Sequence, residues 1–499
     1  MSRRRGLHLA LAAAAVGGAL VWAAGPLRAD KPRDEMMELY GLFVDAVEKV
    51  EANYVHPVNR KELLESALEG MLQNLDQHSS YINMGEWRQF RKQIEGKFGG
   101  IGIQVGIDGD AGRLRVISPM VGTPAYEGGI LAGDLIMEID GHSTEGMSSD
   151  KAVEALTGRP GTDVELSVLH EGAEEPTAIK LTRAIIEVPS VMGETRRKDG
   201  GWDYMLDKEK KIGYVRISNF VQSTGEDLRK ALDELKDQDV KGLVLDLRDD
   251  PGGLLSAAVE VADLFLSEGD IVSTKGRNTI PKSYVAQHDS PYEDLPMVVL
   301  VNQNSASASE IVSAALQDHK RATVVGQRSY GKGSVQNIME LEDGNSVLKL
   351  TVASYHRPSG ENIHRFRDAK VTDKWGVTPD EGMEVKLTPA EYRDWFLARR
   401  AKDLPALAKL NAPKKPMETH SDAEKAQENK EKVETKDVPK DEKPPADPTK
   451  PEPPKTVVAP ETAPPFVDKV LDKALEVLKA KIQAADAPQA EEEKDKKAA

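Results

Sequence analysis

Between residues 211 and 326 the chain alternates apolar runs too short for helices with amphipathic runs too long for strands. KIGYVRISNF, KGLVLDLR and PMVVLVNQ are dense in Val, Ile and Leu. STGEDLRKALDELKDQ, GLLSAAVEVADLFLSEG and SASEIVSAALQDH repeat their apolar residues every three or four positions, and RATVVGQ closes the series as a short strand. A continuously apolar strand needs cover on both faces, and a helix between two such strands returns the chain to start the next one in parallel. This stretch therefore predicts an α/β fold with a parallel sheet built from right-handed βαβ crossovers.

Two loops in this stretch follow strands at their carboxyl ends: RDDPGG after LVLDL, and NQNSASAS after MVVLV. Open parallel sheets gather their active sites along that edge, so the glycine pair and the serine cluster belong on one side of the molecule. Each loop also starts a helix, whose first amides lack intrahelical partners and favour negative charge. An amide at Gly252 or Gly253, joined by one just after a serine, can cradle a developing oxyanion. The bland alternative is that Pro251-Gly252-Gly253 is a tight helix start and that Ser305, Ser307 and Ser309 compete as N-caps.

GKGSVQ downstream shifts that balance. Lys332 lies between Gly331 and Gly333, which let the backbone approach a site closely. To act as a base it must be neutral, with its pKa brought from ~10.4 towards ~7–8. Three units correspond to about 4 kcal/mol, more than exposed charge contacts supply, so burial must provide most of the shift. Residues 326–336 hold no Asp or Glu to oppose it. Taken alone, a Gly-Lys-Gly turn is a solvated loop or an anion site.

The flanks are of different character. Residues 30–97 read as helical, with EMMELYGLFVDAVEKVEANYV and KELLESALEGMLQNL around a Pro-containing break. This arm packs either on a second copy, making a homo-oligomer, or within its own chain. From Phe98 the period changes to strands: FGGIGIQVGI, RLRVISPM, and a closing hairpin of DVELSVLHEG and AIKLTRA, with SSDKAVEALTG as a helix. That unit spans 98–187. The core takes 188–390, including a hairpin turning at Asp343-Gly344, and a helical extension runs over 391–411.

Residues 412–465 are Lys, Glu, Asp and Pro, which bury too little apolar area to order. Over 466–485, Val467, Val470, Leu471, Ala474, Leu478 and Ile482 line one face of a short amphipathic helix. It docks on an adaptor or the membrane, or stands in solvent. A charged tail, 486–499, follows.

The formal net charge of −16 argues against a nucleic-acid partner, because phosphate binding needs a basic surface. MSRRR followed by LHLALAAAAVGGALVWAA reads as an export signal over 1–29, with cleavage near Ala24 or Ala29. The competing reading is an uncleaved membrane anchor, which the many Ala and Gly residues make weakly apolar. There is no cysteine, hence no disulfide, no lipid-modified N-terminal cysteine and no thiolate chemistry. The placement these features support is the bacterial periplasm.

With these pieces in place, the chain resembles the carboxyl-terminal processing proteases, serine endopeptidases that combine a PDZ domain with a Ser-Lys core. The resemblance runs from about residue 36 to 390 and rests on LDQHSSY, FGGIGI, LDLRDDPGG, NSASASE, GKGSVQ and GVTPD, in that order. In that family the lysine follows the serine by twenty-five positions and a glutamine follows the lysine by four, which selects Ser307, Lys332 and Gln336. The resemblance implies Ser307 as nucleophile, Lys332 as base and Gln336 as the residue orienting its amine. The oxyanion hole would be the amide of Ala308 with one from Gly252 or Gly253. It also implies a crotonase- and Clp-protease-like βαβ core with an inserted PDZ domain, and no cofactor and no metal.

For the PDZ unit, the amides around Gly100, Ile101 and Gly102 would receive a peptide's terminal carboxylate while the next strand pairs with the peptide. Ile103, Val153 and Leu156, with Ile101, would line its apolar pocket. The implied partners are protein substrates with nonpolar C-termini, and an adaptor lipoprotein is a further candidate. Two departures stand out: Thr157, with Arg159 nearby, where many relatives have an arginine, and a long HRFRDAKVTDKW before GVTPD. Two other functions remain open at this point: a catalytically silent PDZ receptor and a crotonase-like acyl-thioester enzyme.

Overall fold

The computed structural model describes residues 32–404, apart from 110, 198–199, 288–289 and 371, together with residues 466–498. The expected export segment and the stretch 412–465 lie outside the described residues. Residues up to Met84, with Gln336–Thr351, form one unit, and the remainder forms a second.

In the first unit, helices α1 (Pro32–Asn53) and α2 (Arg60–Gln73) flank the break at Pro57. Asn59 caps α2, its side chain accepting from the Lys61 amide at 2.9 Å and so pairing a donor the first turn cannot. On α1, Met36, Met37, Leu39, Tyr40, Leu42 and Phe43 are exposed. Beyond α2 the chain tightens around Asp76, whose carboxylate accepts from the amides of His78 and Ser79 and from Ser79 Oγ at 2.7–2.8 Å. Those bonds outweigh the effect of burial and hold Asp76 below the usual carboxylate range. The turn launches β1 (Ser80–Ile82), antiparallel to Val347–Lys349, a strand the sequence did not suggest. Three residues are too few for a period of two to show.

The second unit begins with an antiparallel sheet. Strands β2 (Ile103–Ile107), β3 (Leu114–Pro119), β4 (Leu135–Ile139), β5 (Asp163–Leu169) and β6 (Thr177–Thr182) lie side by side in that order. Helix α3 (Ser149–Leu156), capped by Ser148, closes over them, and Leu114, Val116, Ile136, Val164, Leu166 and Val168 fill the core. At the sheet's edge β2 pairs with β3 alone among the described residues.

The alternating stretch forms four parallel strands. They are β7 (Ile212–Ile217), β8 (Gly242–Asp246), β9 (Met297–Val301) and β10 (Thr323–Gly326), hydrogen-bonded in sequence order. Helices α4 (Thr224–Asp237), α5 (Leu255–Asp263) and α6 (Ala308–Asp318) contribute Leu232, Val261 and Ile311 to one core with Val215, Leu245, Val299 and Val324. The alternate residues, Tyr214, Val244, Val298, Leu300 and Val325, face the other way. The same chain covers that second face. After α7 (Pro389–Asp403) comes α8 (Lys469–Ala498), and its Val470, Ala474 and Leu478 are buried against the sheet.

The sequence offered this helix an adaptor, a membrane or solvent. The structure instead seats it on its own sheet, because the three crossover helices occupy one face and leave the other apolar. The helix also continues past the expected end at 485, while Val467, assigned to its apolar face, is exposed.

Candidate active site

The loops after β8 and β9 are laced together. Ser305 Oγ donates to Leu247 O at 2.7 Å, and Asn302 Nδ2 donates to Asp249 Oδ1 at 2.8 Å. Ala306 N and Ser309 Oγ both donate to Asp250 O, at 2.9 and 3.0 Å. Ser305 and Ser309 thus spend their hydroxyls on the neighbouring backbone. Ser307 lies between them, buried at the start of α6, with φ +57° and ψ −110°. A non-glycine residue there is strained, and such strain persists only where surrounding bonds over-determine it.

One of those bonds comes from a residue that motif reasoning left without a role. Glu310 is fully buried. Its Oε2 accepts from the amides of Ser307 and Lys332 at 2.8 and 2.7 Å, and its Oε1 accepts from Ser329 Oγ and the Gly331 amide at 2.5 and 2.6 Å. A carboxylate offers about four lone-pair sites, so all are taken by these donors. Burial pushes the Glu310 carboxyl up and the four bonds pull it back, leaving it raised. One side chain therefore fixes the backbone of both Ser307 and Lys332. The signal was readable, since Ser307 and Glu310 have the S-x-x-E spacing of a capping box. The window 326–336 contains no acid, yet this one reaches it from α6.

The glycine pair splits in two. A Cβ on Gly252 would stand 2.5 Å from Ala306 O and 2.8 Å from both Ser307 Cβ and the Ala308 nitrogen, so this position touches the serine directly. Its φ of +94° also demands glycine. Its amide, however, donates to Asp250 Oδ1 at 2.8 Å. Gly253 bridges Phe220, with Gly252 O and the Leu254 amide making the bonds, so its own N–H points away from that bridge. Among the described residues the amides of Gly253 and Ala308 take no partner. Of the two amides the sequence offered, Gly253 is the one still able to donate.

Asp250 itself is buried, and its Oδ2 has no hydrogen-bond partner among the described residues. Burial pushes this carboxyl far above the usual range, against the pull of the Gly252 amide. Upstream, Asp246 is held low despite burial by the Arg248 guanidinium.

The Gly331-Lys332-Gly333 turn is pinned to the serine loop through the Tyr330 amide, which donates to Ser305 O at 3.0 Å. Glycine is required on both sides of the lysine. A Cβ on Gly331 would meet Arg365 Cβ and the Trp375 ring at 2.7 and 2.9 Å, and one on Gly333 would meet the His364 nitrogen at 2.2 Å. The long HRFRDAKVTDKW segment thus packs on this turn, with Trp375 4.7 Å from the Arg328 guanidinium carbon and 4.6 Å from that of Arg365. Gln336 belongs to the first unit, where its Nε2 donates to Thr351 Oγ1 at 3.1 Å and Thr351 Oγ1 donates to Asp76 Oδ1 at 3.2 Å. His319, the only histidine near the serine in sequence, lies at the far end of α6, its Nε2 2.7 Å from Asp270 O.

A model of peptidase family S41 matches residues 211–383, and one of the PDZ domain matches residues 89–169. A carboxy-terminal-processing protease of Bartonella bacilliformis is 40% identical over 361 residues, 71% of this chain and 76% of that protein. The chain belongs to peptidase family S41. A carboxyl-terminal-processing protease of Synechocystis sp. is 33% identical over 375 residues, 72% of this chain and 83% of that one. The solved photosystem II D1 C-terminal processing protease is 30% identical, covering 73% of this chain and 97% of its own, with a TM-score of 0.39. This S41 chain is a serine endopeptidase of the carboxyl-terminal processing type, and its antiparallel sheet is a PDZ domain.

In the PDZ domain the candidate peptide-binding residues separate by environment. Gly100 ends a short strand, and Gly102 has φ +78°, where any Cβ would meet Thr123 at 2.4 Å. Ile101 and Leu156 are buried in the domain's own core. Ile103 is half-buried at the start of the edge strand β2, and Val153 on α3 is 53% exposed. The helix end near Thr157 is served by an arginine from elsewhere: Arg183 donates to Ala155 O at 2.8 Å and Leu156 O at 3.3 Å.

Proposed function

We propose that Ser307 is the nucleophile and Lys332 its general base, with Gln336 orienting the lysine amine and the amides of Gly253 and Ala308 forming the oxyanion hole. Ser307 Oγ attacks the scissile carbonyl carbon as Lys332 Nζ takes its proton, and the two amides stabilise the tetrahedral oxyanion. Collapse expels the amine, which receives that proton from Lys332, and leaves an acyl-serine. Water, deprotonated by the same lysine, then cleaves the ester. Substrates are proteins with nonpolar C-termini, whose carboxylates the Gly100–Gly102 loop receives while the peptide pairs with the open edge of β2.

The observation that carries this reading is the contact of Gly252 with Ser307 and Ala308, beside two amides that have no other partner among the described residues. In the test, purified Ser307→Ala and Lys332→Ala proteins meet a peptide ending in small apolar residues. Each should lose cleavage by roughly a thousandfold or more. Continued cleavage by both overturns the dyad.

The basic and apolar N-terminus supports export to the periplasm for work on envelope proteins. A mature N-terminus just after Ala24 or Ala29 in the periplasmic fraction is the expected result; full-length chain confined to the cytoplasm refutes it. The exposed apolar residues of α1 support self-association through that helix, and a lipoprotein adaptor is a further candidate partner.

A further inference from the structure

Arg248 is 3% exposed, and it has two carboxylate partners, Asp246 two residues before it and Asp468 220 residues after it. Asp246 takes one side of the guanidinium, accepting from Nε at 3.0 Å and from Nη2 at 2.6 Å. Asp468, just before α8, takes the other fork: Nη1 donates to its Oδ1 and Nη2 to its Oδ2, both at 2.9 Å. The Trp395 ring lies 4.6 Å from the guanidinium carbon. Asp246 is further held by Tyr214 OH at 2.7 Å and the Arg248 amide at 2.9 Å. Without Asp468, two N–H donors of a buried cation lose their acceptors, and bidentate geometry that fixes the side chain is halved.

Arg248 opens the turn that ends at Gly252 and Gly253. The next residue, Asp249, is braced by Asn302, Asn304 and Tyr392 OH, the last at 2.9 Å. Tyr392 neighbours Glu391, which pairs with Lys469, the residue after Asp468. The start of α8 therefore reaches the turn by two routes, one through Arg248 and one through α7.

We infer that Asp468 is a positioning residue for catalysis, through which the docked C-terminal helix holds the turn presenting the Gly253 amide to the oxyanion. The inference rests on the role proposed for that amide. It makes the C-terminal helix a working part of the peptidase rather than an appendage, acting on the chemistry from 220 residues away in sequence.

The test uses the full chain, with active sites counted by a serine-directed fluorophosphonate and turnover expressed per labelled site. Asp468→Asn keeps the shape and removes the charge. Its kcat should fall about ten- to a hundredfold with KM for the peptide unchanged, as for a small misplacement of reacting groups. Asp468→Glu should recover part of the loss. Leu478→Asp, which unseats the helix from its inner face, should lower kcat in the same way while leaving Asp468 intact. Full turnover per site in either Asp468→Asn or Leu478→Asp overturns the inference. So does a loss that appears wholly as fewer labelled sites, since that is unfolding and not positioning. An unmutated chain that takes no probe and cuts no peptide sinks the parent reading instead.

Discussion

The two faces of the parallel sheet are equally dry but are covered in different ways. On one, α4, α5 and α6 are laid down by the crossovers that build the sheet, each starting fewer than ten residues after the strand that precedes it. On the other, α8 adds no strand and arrives from far along the chain, yet Val470, Ala474 and Leu478 are as buried as anything on α4. Burial is the same; sequence separation is not. Contacts of long separation cost more closure entropy before they reward it, and an element that contributes nothing to the sheet can leave as a unit. The first face should therefore fail only with the whole domain, and the second by undocking.

A like-for-like pair of substitutions separates those behaviours. Leu232, 1% exposed on α4, and Leu478, 0% exposed on α8, both lose three carbons on mutation to alanine. Leu232→Ala should cost about 3–4 kcal/mol in urea unfolding, within the usual range for a core leucine. Leu478→Ala should cost the global transition only about 1–2 kcal/mol, because the loss cannot exceed what docking contributes. In hydrogen exchange, residues 469–482 should lose protection in Leu478→Ala while β8 and β9 keep theirs. Equal shifts in both variants, with α8 exchanging only through global unfolding, would make the two faces one cooperative body.

The same contrast explains what could be read from the chain and what could not. The helix face was legible because its pattern is local: apolar runs such as VVLV, too short for a helix, alternate with amphipathic runs too long for strands. The convergence of RDDPGG and NQNSASAS was legible for the same reason, since strand direction alone puts both loops on one edge. The tail helix was legible only as a helix. Its apolar stripe left an adaptor, a membrane and solvent equally open, because the partner is defined by alternate residues on four other strands. Glu310 is only half legible: its spacing from Ser307 is a capping signal, but its second pair of bonds, to Ser329 and Gly331, depends on a turn about twenty residues on. The choice of Gly253 over Gly252 needed the Asp250 carboxyl, whose direction no motif encodes.

Asp250 sits where the two loops meet, and it sharpens the comparison most finely because its effect depends on pH. Its carboxyl is pushed far above the usual range by burial, and its Oδ2 has no partner among the described residues. An acid whose folded pKa exceeds its unfolded value of ~3.9 contributes stability that is full below about pH 4 and is lost as pH rises towards the folded value. Asparagine cannot ionise, and its carbonyl oxygen can still accept from the Gly252 amide. Asp250→Asn should therefore match the unmutated protein near pH 4 and exceed it increasingly above that, by at most about 1.4 kcal/mol per pH unit. Urea unfolding at pH 5 and pH 8 measures the gap directly. Because the turn stays intact, turnover per active site should change little, in contrast to the loss expected when Asp468 releases Arg248. A gap that stays the same from pH 5 to pH 8 would mean that the carboxyl is already ionised in the folded protein, since neither state then releases a proton over that range. In that case its charge, rather than its hydrogen bond, would be what holds the turn.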